Sequence, residues 1–211
     1  MNLLILNPNS SVDMTSVIEK SAEDYFNDRI NFECVCNETA PEFISGYKDK
    51  VMAARGIIDI IEEKQSGFEA IVLACHGDPN IEAAREVAYI PVMGVGECSM
   101  KIASMLGEKF SIITPDEGII PGKRNMVKNY NLSEHLASIR VSREAENDNP
   151  KENLLKTVKN IAEEDSPDSI ILGCADYSRF SSYLRNKVEI SVIDSLEAGF
   201  MIAEGLMRTN L

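Results

Sequence analysis

The chain has 211 residues and a formal net charge of −13 at pH 7. This length can bury the core of one large α/β domain or two small ones, and the strong negative charge argues against nucleic acid or an anionic membrane surface as a partner. The beginning of the chain lacks the charged region of a signal peptide, and no apolar run approaches a membrane span, so we expect a cytoplasmic protein.

The five cysteines form no CxxC pair, and the chain has two histidines. In a reducing compartment a chain of this length does not need a disulfide framework, and no zinc-ligand spacing is present. Cys34, Cys36 and Cys98 fit core positions in an alternating strand and a helix. We therefore expect neither a disulfide nor a metal site.

The first half alternates predicted strands and helices. In the second predicted helix, the periodicity turns Val51, Ala54, Ile58 and Ile61 inward. The predicted strands are 3–6, 30–36, 71–75 and 90–94, and the predicted helices are 14–26, 49–64, a stretch through 84–88, and 97–106.

The second half repeats this order about one hundred positions later. Its predicted strands are 110–114, 137–141, 170–174 and 190–193, and its predicted helices are 122–130, 151–164, a short helix after Cys174, and 195–207. The polar stretch 142–150 reads as a loop or as the start of the next helix. Alternating strands and helices predict an α/β fold, here two pseudo-symmetric halves with parallel sheets and a cleft between them. We assign 1–96, completed by the helix 195–211, to the first domain and 97–194 to the second.

Two matched stretches end in cysteine: 71–75 and 170–174. Both are apolar runs typical of buried parallel strands, and ligands of open α/β sheets bind at the carboxyl ends of such strands. Turn and capping residues follow each cysteine, with Asp78 as the predicted N-cap of the next helix. A helix N-terminus lowers the pKa of a nearby thiol. Either cysteine alone could equally be an inert core residue, but the matched setting favours a pair facing one cleft.

Two opposed thiols suit the inversion of a C–H centre. One thiolate removes the proton, and the other thiol returns a proton to the opposite face. Backbone N–H groups near Gly77 and Asp176 could stabilise the carbanion's oxygen, so no cofactor is required. Asn7 and Thr114 end the opening strands of the two halves and are candidates for binding the substrate.

Several segments carry a family resemblance. They are Asn7-Pro-Asn-Ser-Ser, Ala74-Cys-His-Gly-Asp-Pro79, Glu82-Ala-Ala-Arg-Glu86, Ile90-Pro-Val-Met-Gly-Val-Gly-Glu97 and Leu172-Gly-Cys-Ala175. Together they resemble the hydantoin racemase branch of the aspartate/glutamate racemase superfamily, along the whole chain.

The resemblance implies cofactor-independent racemisation at C5 of 5-substituted hydantoins by Cys75 and Cys174, in a homo-oligomer. Allantoin is the substrate of a close sister group. His76, Gly77, Ala175 and Asp176 flank the two cysteines and are further candidates for contacting the substrate.

Other functions remain open. Aspartate or glutamate racemases use a similar cysteine pair, but such enzymes carry Asn-Thr after the first cysteine, where this chain has His76-Gly77. A decarboxylase or isomerase of the same superfamily would fit the fold, as would a non-catalytic ligand-binding domain. A Cys75–His76 nucleophile pair is disfavoured, because adjacent side chains on an extended segment point in opposite directions.

Overall fold

The computed structural model describes residues 1–142 and 149–209. The strands are β1 (Asn2–Asn7), β2 (Asn31–Cys36), β3 (Ala70–Leu73), β4 (Val92–Gly94), β5 (Phe110–Thr114), β6 (Leu136–Val141), β7 (Ser169–Leu172) and β8 (Ser191–Asp194). The helices are α1 (Val12–Phe26), α2 (Tyr47–Lys64), α3 (Ile81–Val87), α4 (Val95–Leu106), α5 (Ile120–Asn129), α6 (Pro150–Glu164), α7 (Ser181–Arg185) and α8 (Ser195–Thr209). Within these residues, no helix is long and apolar enough to cross a membrane.

The strands form two four-stranded sheets of the same topology. The orders are β2-β1-β3-β4 and β6-β5-β7-β8, and every pair is parallel. In each sheet the strand order changes direction between the two central strands, β1 and β3 or β5 and β7. Open α/β sheets bind their ligands at such a switch point. The predicted α/β fold with two similar halves is therefore confirmed.

The central strands are buried on both faces. All four residues of β3 and all four of β7 are buried, as expected for parallel strands covered by helices on both sides. One face of each sheet joins a shared core that contains Ile5, Val72, Ile112, Ile171 and Phe200. The outer faces pack into a separate cluster in each half.

Two helices join the halves. Helix α4 packs on β7, and α8 packs on α4 and on β3 and β4 of the first sheet. A Cβ atom added at Gly199 of α8 would lie 2.7 Å from a methyl group of Val95, so only glycine permits this close approach. Helix α8 thus contacts elements of both halves, and the domain boundaries at 96 and 194 stay predictions.

A pair of arginines makes the internal repeat visible at atomic detail. Arg85 donates to the Val92 carbonyl at 3.1 Å and pairs with Glu97 at 2.7 Å. Arg185 donates to the Val192 carbonyl at 2.9 Å and pairs with Glu197 at 2.8 Å. The same brace thus fixes a short helix to the following strand and helix in both halves.

The predicted inward face of α2 was only partly correct: Ile61 is buried, and Ala54 and Ile58 are half-buried. Val51 is 73% exposed, and the buried positions are Ala53, Gly56, Ile57 and Ile61. The Asn37 amide donates to the Ala53 carbonyl at 2.9 Å, and its side chain occupies the space above Gly56. The small residues face inward because they let a polar loop approach the helix closely.

The turns after the two cysteines also differ from the prediction. Helix α3, which follows Cys75, begins at Ile81 with Asn80 as its N-cap. Asp78, the predicted N-cap of this helix, caps α4 instead. After Cys174 the chain forms a 3-10 helix, 175–180, before α7. In the polar stretch, residues 143–148 lie outside the described residues, and α6 begins at Pro150 with Asn149 as its cap.

Candidate active site

Equivalent backbone bonds position Cys75 and Cys174. The N–H of Ala74 donates to the Leu6 carbonyl, and the N–H of Gly173 donates to the Ile113 carbonyl, both at 2.8 Å. Each cysteine therefore follows directly on the central pair of strands in its own sheet. Both thiols are free and half-buried.

Each thiol accepts a hydrogen bond from the backbone N–H two residues further along the chain, Gly77 for Cys75 and Asp176 for Cys174. These bonds act to lower the pKa of each thiol, but burial raises the pKa by more than the bonds lower it. Burial raises the pKa of the Cys75 thiol, and it raises that of Cys174 to about 11. The expected lowering of the thiol pKa was thus wrong, because burial has the larger effect on both thiols. A turn and a 3-10 helix also stand where helix N-termini were predicted.

Lys123 of α5 lies between the two cysteine loops, and the sequence analysis missed it. Its Nζ contacts Nδ1 of His76 at 2.6 Å and donates to the Gly173 carbonyl at 2.9 Å. These partners directly adjoin Cys75 and Cys174. Burial lowers the pKa of Lys123 to about 8, while the two thiols act to raise it. The signal in the sequence is that Lys123 shares its helix face with Met126 and Val127.

His76 is a neutral imidazole in this arrangement. Burial and the neighbouring Lys123 ammonium hold its pKa well below the usual range. Since Nδ1 accepts from the ammonium, the ring hydrogen is on Nε2. That Nε2 is buried and has no hydrogen-bond partner within the described residues. It can therefore donate to a ligand that reaches it.

Thr114 and Asn7 end β5 and β1, but their polar groups are used differently. Both continue the strand face on which Ile112 and Ile5 contribute to the shared core. The Thr114 hydroxyl is buried without a partner in the described chain. The Asn7 amide is engaged with Asn9, Ser11 and Thr15. The Asn7 amide thus shapes the turn, and a role for either residue in binding a ligand stays a prediction.

Asp78 organises the first loop. Its carboxylate accepts hydrogen bonds from the N–H groups of Gly96 and Glu97 and from the Tyr130 hydroxyl. Burial raises the pKa of this carboxyl to about 6. Lys50 adds a hydrogen bond to the Gly77 carbonyl at 2.9 Å. The turn after Cys75 is therefore held from α2, α4 and the end of α5.

The second loop is held differently. Ala175 is buried, and the half-exposed Asp176 carboxylate pairs with Arg179 at 2.6 Å. The backbone N–H of Asp176 is the group that contacts the Cys174 thiol. In the described part of the chain, no group of three or more His, Cys, Asp or Glu residues could hold a metal ion. The functional groups brought together are two thiols, one ammonium, one imidazole and backbone donors, which are suited to moving protons.

The sequence profile of the family described as Asp/Glu/hydantoin racemase matches residues 3–203. The chain belongs to this family. It is 32% identical to a hydantoin racemase of Pseudomonas sp. (strain NS671), over 98% of this chain and 86% of that protein. It is 29% identical to a hydantoin racemase of Rhizobium meliloti, over 98% of this chain and 89% of that protein.

A solved structure resembles this racemase-family enzyme along its full length. The allantoin racemase from Klebsiella pneumoniae superposes with a TM-score of 0.93 and 28% sequence identity, covering 100% of this chain and 89% of that one. The family resemblance predicted from the sequence is thus confirmed.

Proposed function

We propose that this enzyme racemises 5-substituted hydantoins, allantoin among them, at C5 by a two-cysteine mechanism. The observation that carries the proposal is the equivalent placement of Cys75 and Cys174 at the ends of the central strands, each with a backbone N–H donor on its sulfur. Proton abstraction on one face of a carbon and protonation on the other require such a pair.

The proposed reaction transfers one proton in and one proton out. The thiolate of one cysteine takes the C5 proton, forming an S–H bond as the C5–H bond breaks. The electron pair moves into the adjacent ring carbonyl and gives an enolate. The thiol of the other cysteine then donates its proton to the opposite face of C5. The product is the other enantiomer, and the thiolate now resides on the second cysteine.

The enolate oxygen needs hydrogen-bond donors, and two candidate donors have no protein partner within the described residues. These are the Thr114 hydroxyl and Nε2–H of His76, both buried. A buried donor costs free energy unless a ligand satisfies it, so a ring with two carbonyl groups is a suitable occupant. Because those carbonyls accept the charge, the scheme needs no cofactor.

Polarimetry on the purified enzyme tests this function. We expect single enantiomers of allantoin or of other 5-substituted hydantoins to lose optical rotation, faster than in a control without protein. D- and L-aspartate and D- and L-glutamate are included to test the amino-acid racemase alternative. Loss of rotation only with the amino acids would contradict the hydantoin proposal. Release of carbon dioxide from a malonate would instead indicate a decarboxylase. A ligand that protects the thiols without changing its rotation would indicate a binding protein.

A further inference from the structure

Lys123 is a buried cation beside the two cysteine loops. It is 3% exposed, and across residues 1–142 and 149–209 no carboxylate lies within ion-pair distance of its Nζ. Its two direct partners, an imidazole nitrogen and a carbonyl oxygen, are uncharged. A buried ammonium is costly unless a charge of opposite sign compensates it. An anion close to the Lys123 ammonium would compensate its charge.

Lys123 is anchored to a residue next to each cysteine. One hydrogen bond goes to the residue after Cys75, and the other goes to the residue before Cys174. Helix α5 thus bridges the loop of the first half and the strand end of the second. Two of the three ammonium hydrogens are used in this bridge, and the third has no partner among the described residues.

We propose that Lys123 is a positioning residue that serves as the shared counter-cation of whichever cysteine thiol is ionised. A single positive charge compensates one thiolate but not two. The reacting form of the site then contains one base and one acid, which is what inversion requires. The identity of this thiolate as the reacting base rests on the proposed function.

The surrounding titratable groups fit this role. Those that act on Lys123 are the two thiols, Asp78, Lys50 and His76. The Asp78 carboxylate is committed to the N-terminus of α4 and to Tyr130, and Lys50 is bonded to the Gly77 carbonyl. Neither is in direct contact with the ammonium. Lys123 acts to lower the pKa of both thiols, against the effect of burial.

A shared cation also fits a reaction that must run in both directions. After each inversion the thiolate lies on the opposite cysteine, ready for the other enantiomer. A cation bound to one cysteine alone would stabilise one of these two forms and slow the reaction that starts from the other. A cation anchored beside both cysteines stabilises each form and keeps both available.

Alkylation of the thiols tests the proposal without a substrate. The rates at which iodoacetamide modifies Cys75 and Cys174 are followed by peptide mass spectrometry over a range of pH, in the wild type, in Lys123→Met and in the control Lys128→Met. Lys128 is an exposed lysine on the same helix. In Lys123→Met we expect the alkylation rate of both cysteines near neutral pH to fall about tenfold or more, as a rise of one unit in thiol pKa would cause. In Lys128→Met we expect a change of less than about twofold, because an exposed charge is screened.

Unchanged rates in a folded Lys123→Met protein would overturn the proposal, and so would a change confined to one cysteine. If this variant does not fold, the reciprocal effect is measured on the Lys123 ammonium, by NMR titration of protein with isotope-labelled lysine. Coupling between two sites is mutual, so the pKa of Lys123 should be lower in a Cys75→Ser/Cys174→Ser protein than in the wild type. Equal pKa values would refute a shared counter-cation. Because neither measurement uses a substrate, failure to racemise hydantoins would count against the proposed function alone.

Discussion

The Tyr130 hydroxyl donates a hydrogen bond to Oδ2 of Asp78 at 2.8 Å, and this bond links the second half of the chain to the loop that follows Cys75. The pKa of the Asp78 carboxyl is raised by burial from 3.8 to about 6, whereas the bond from Tyr130 acts to lower it. The folded state therefore binds a proton on Asp78 more tightly than the unfolded state does. The contribution of Asp78 to stability declines as the pH rises from about 4 to about 6.

We expect Tyr130→Phe to destabilise the fold in a pH-dependent way. Removing a donor to an ionised carboxylate costs about 1.5–3 kcal/mol, and the loss should be largest well above pH 6 and shrink as the pH falls through about 6, where Asp78 becomes protonated. Urea unfolding at several pH values measures it. Tyr89, which is 69% exposed, offers a control, and Tyr89→Phe should change stability by less than about 0.5 kcal/mol. A loss for Tyr130→Phe that is the same at all pH values would contradict the role given to Asp78.

We expect Thr114→Val to raise stability and lower activity. The variant removes a buried hydroxyl that has no partner among residues 1–142 and 149–209, which should stabilise the protein by about 1 kcal/mol. If the hydroxyl contacts the substrate, kcat/KM should fall. Ser169 begins β7, at the end of the strand away from Cys174, and its buried hydroxyl also has no partner in the described chain. Ser169→Ala is therefore the matched control. Activity that is unchanged in Thr114→Val would remove Thr114 from the proposed binding site.

We expect Cys75→Ser and Cys174→Ser each to lower net racemisation by about a hundredfold or more, because a hydroxyl is a poor base near neutral pH. The remaining thiolate can still remove a proton from the face it contacts and return a deuteron there. Each variant should therefore exchange the C5 hydrogen of one enantiomer with D₂O, with retention of configuration, and the two variants should select opposite enantiomers. Proton NMR of each enantiomer measures this exchange. Exchange of the same enantiomer by both variants would rule out opposed acid and base groups.

We expect Gly173→Ala to impair both folding and activity. A Cβ atom there would lie 2.5 Å from the Ile113 carbonyl oxygen, and this carbonyl accepts the bond that aligns the chain before Cys174. Such overpacking costs about 1–3 kcal/mol. The control is Gly122→Ala on α5, where no atom lies within 4 Å of the added carbon and where alanine should stabilise the helix by up to about 1 kcal/mol. Thermal melting measures the stability of the two variants. Equal stability would show that the end of β7 tolerates the added Cβ atom.

Local patterns were sufficient to predict the order of elements and the placement of Cys75 and Cys174 after the central strands. Apolar runs such as 71–75 are clear signals, because a strand covered on both faces has few polar positions. The inward face of α2 was mispredicted in part, since apolar residues occur all around this helix and local periodicity does not indicate the close contact between Asn37 and Gly56.

The long-range parts of the site were not predictable in this way. Asp78 was expected to cap the helix that follows it, but its partners are Gly96 and Glu97, on a helix that is distant in sequence. Lys123 could have been suspected from its position on the buried face of α5. Its two hydrogen-bond partners come from opposite halves of the chain, and no local pattern indicates that these residues meet.

The packing of α8 on β3 has a consequence for how the protein is made. The inner face of the first sheet, including Val72, is covered by a helix that the ribosome produces only after the entire second half. The nascent chain must therefore carry an uncovered apolar surface through most of its synthesis. We expect this interval to be the stage at which chaperones bind the chain and at which aggregation competes with folding.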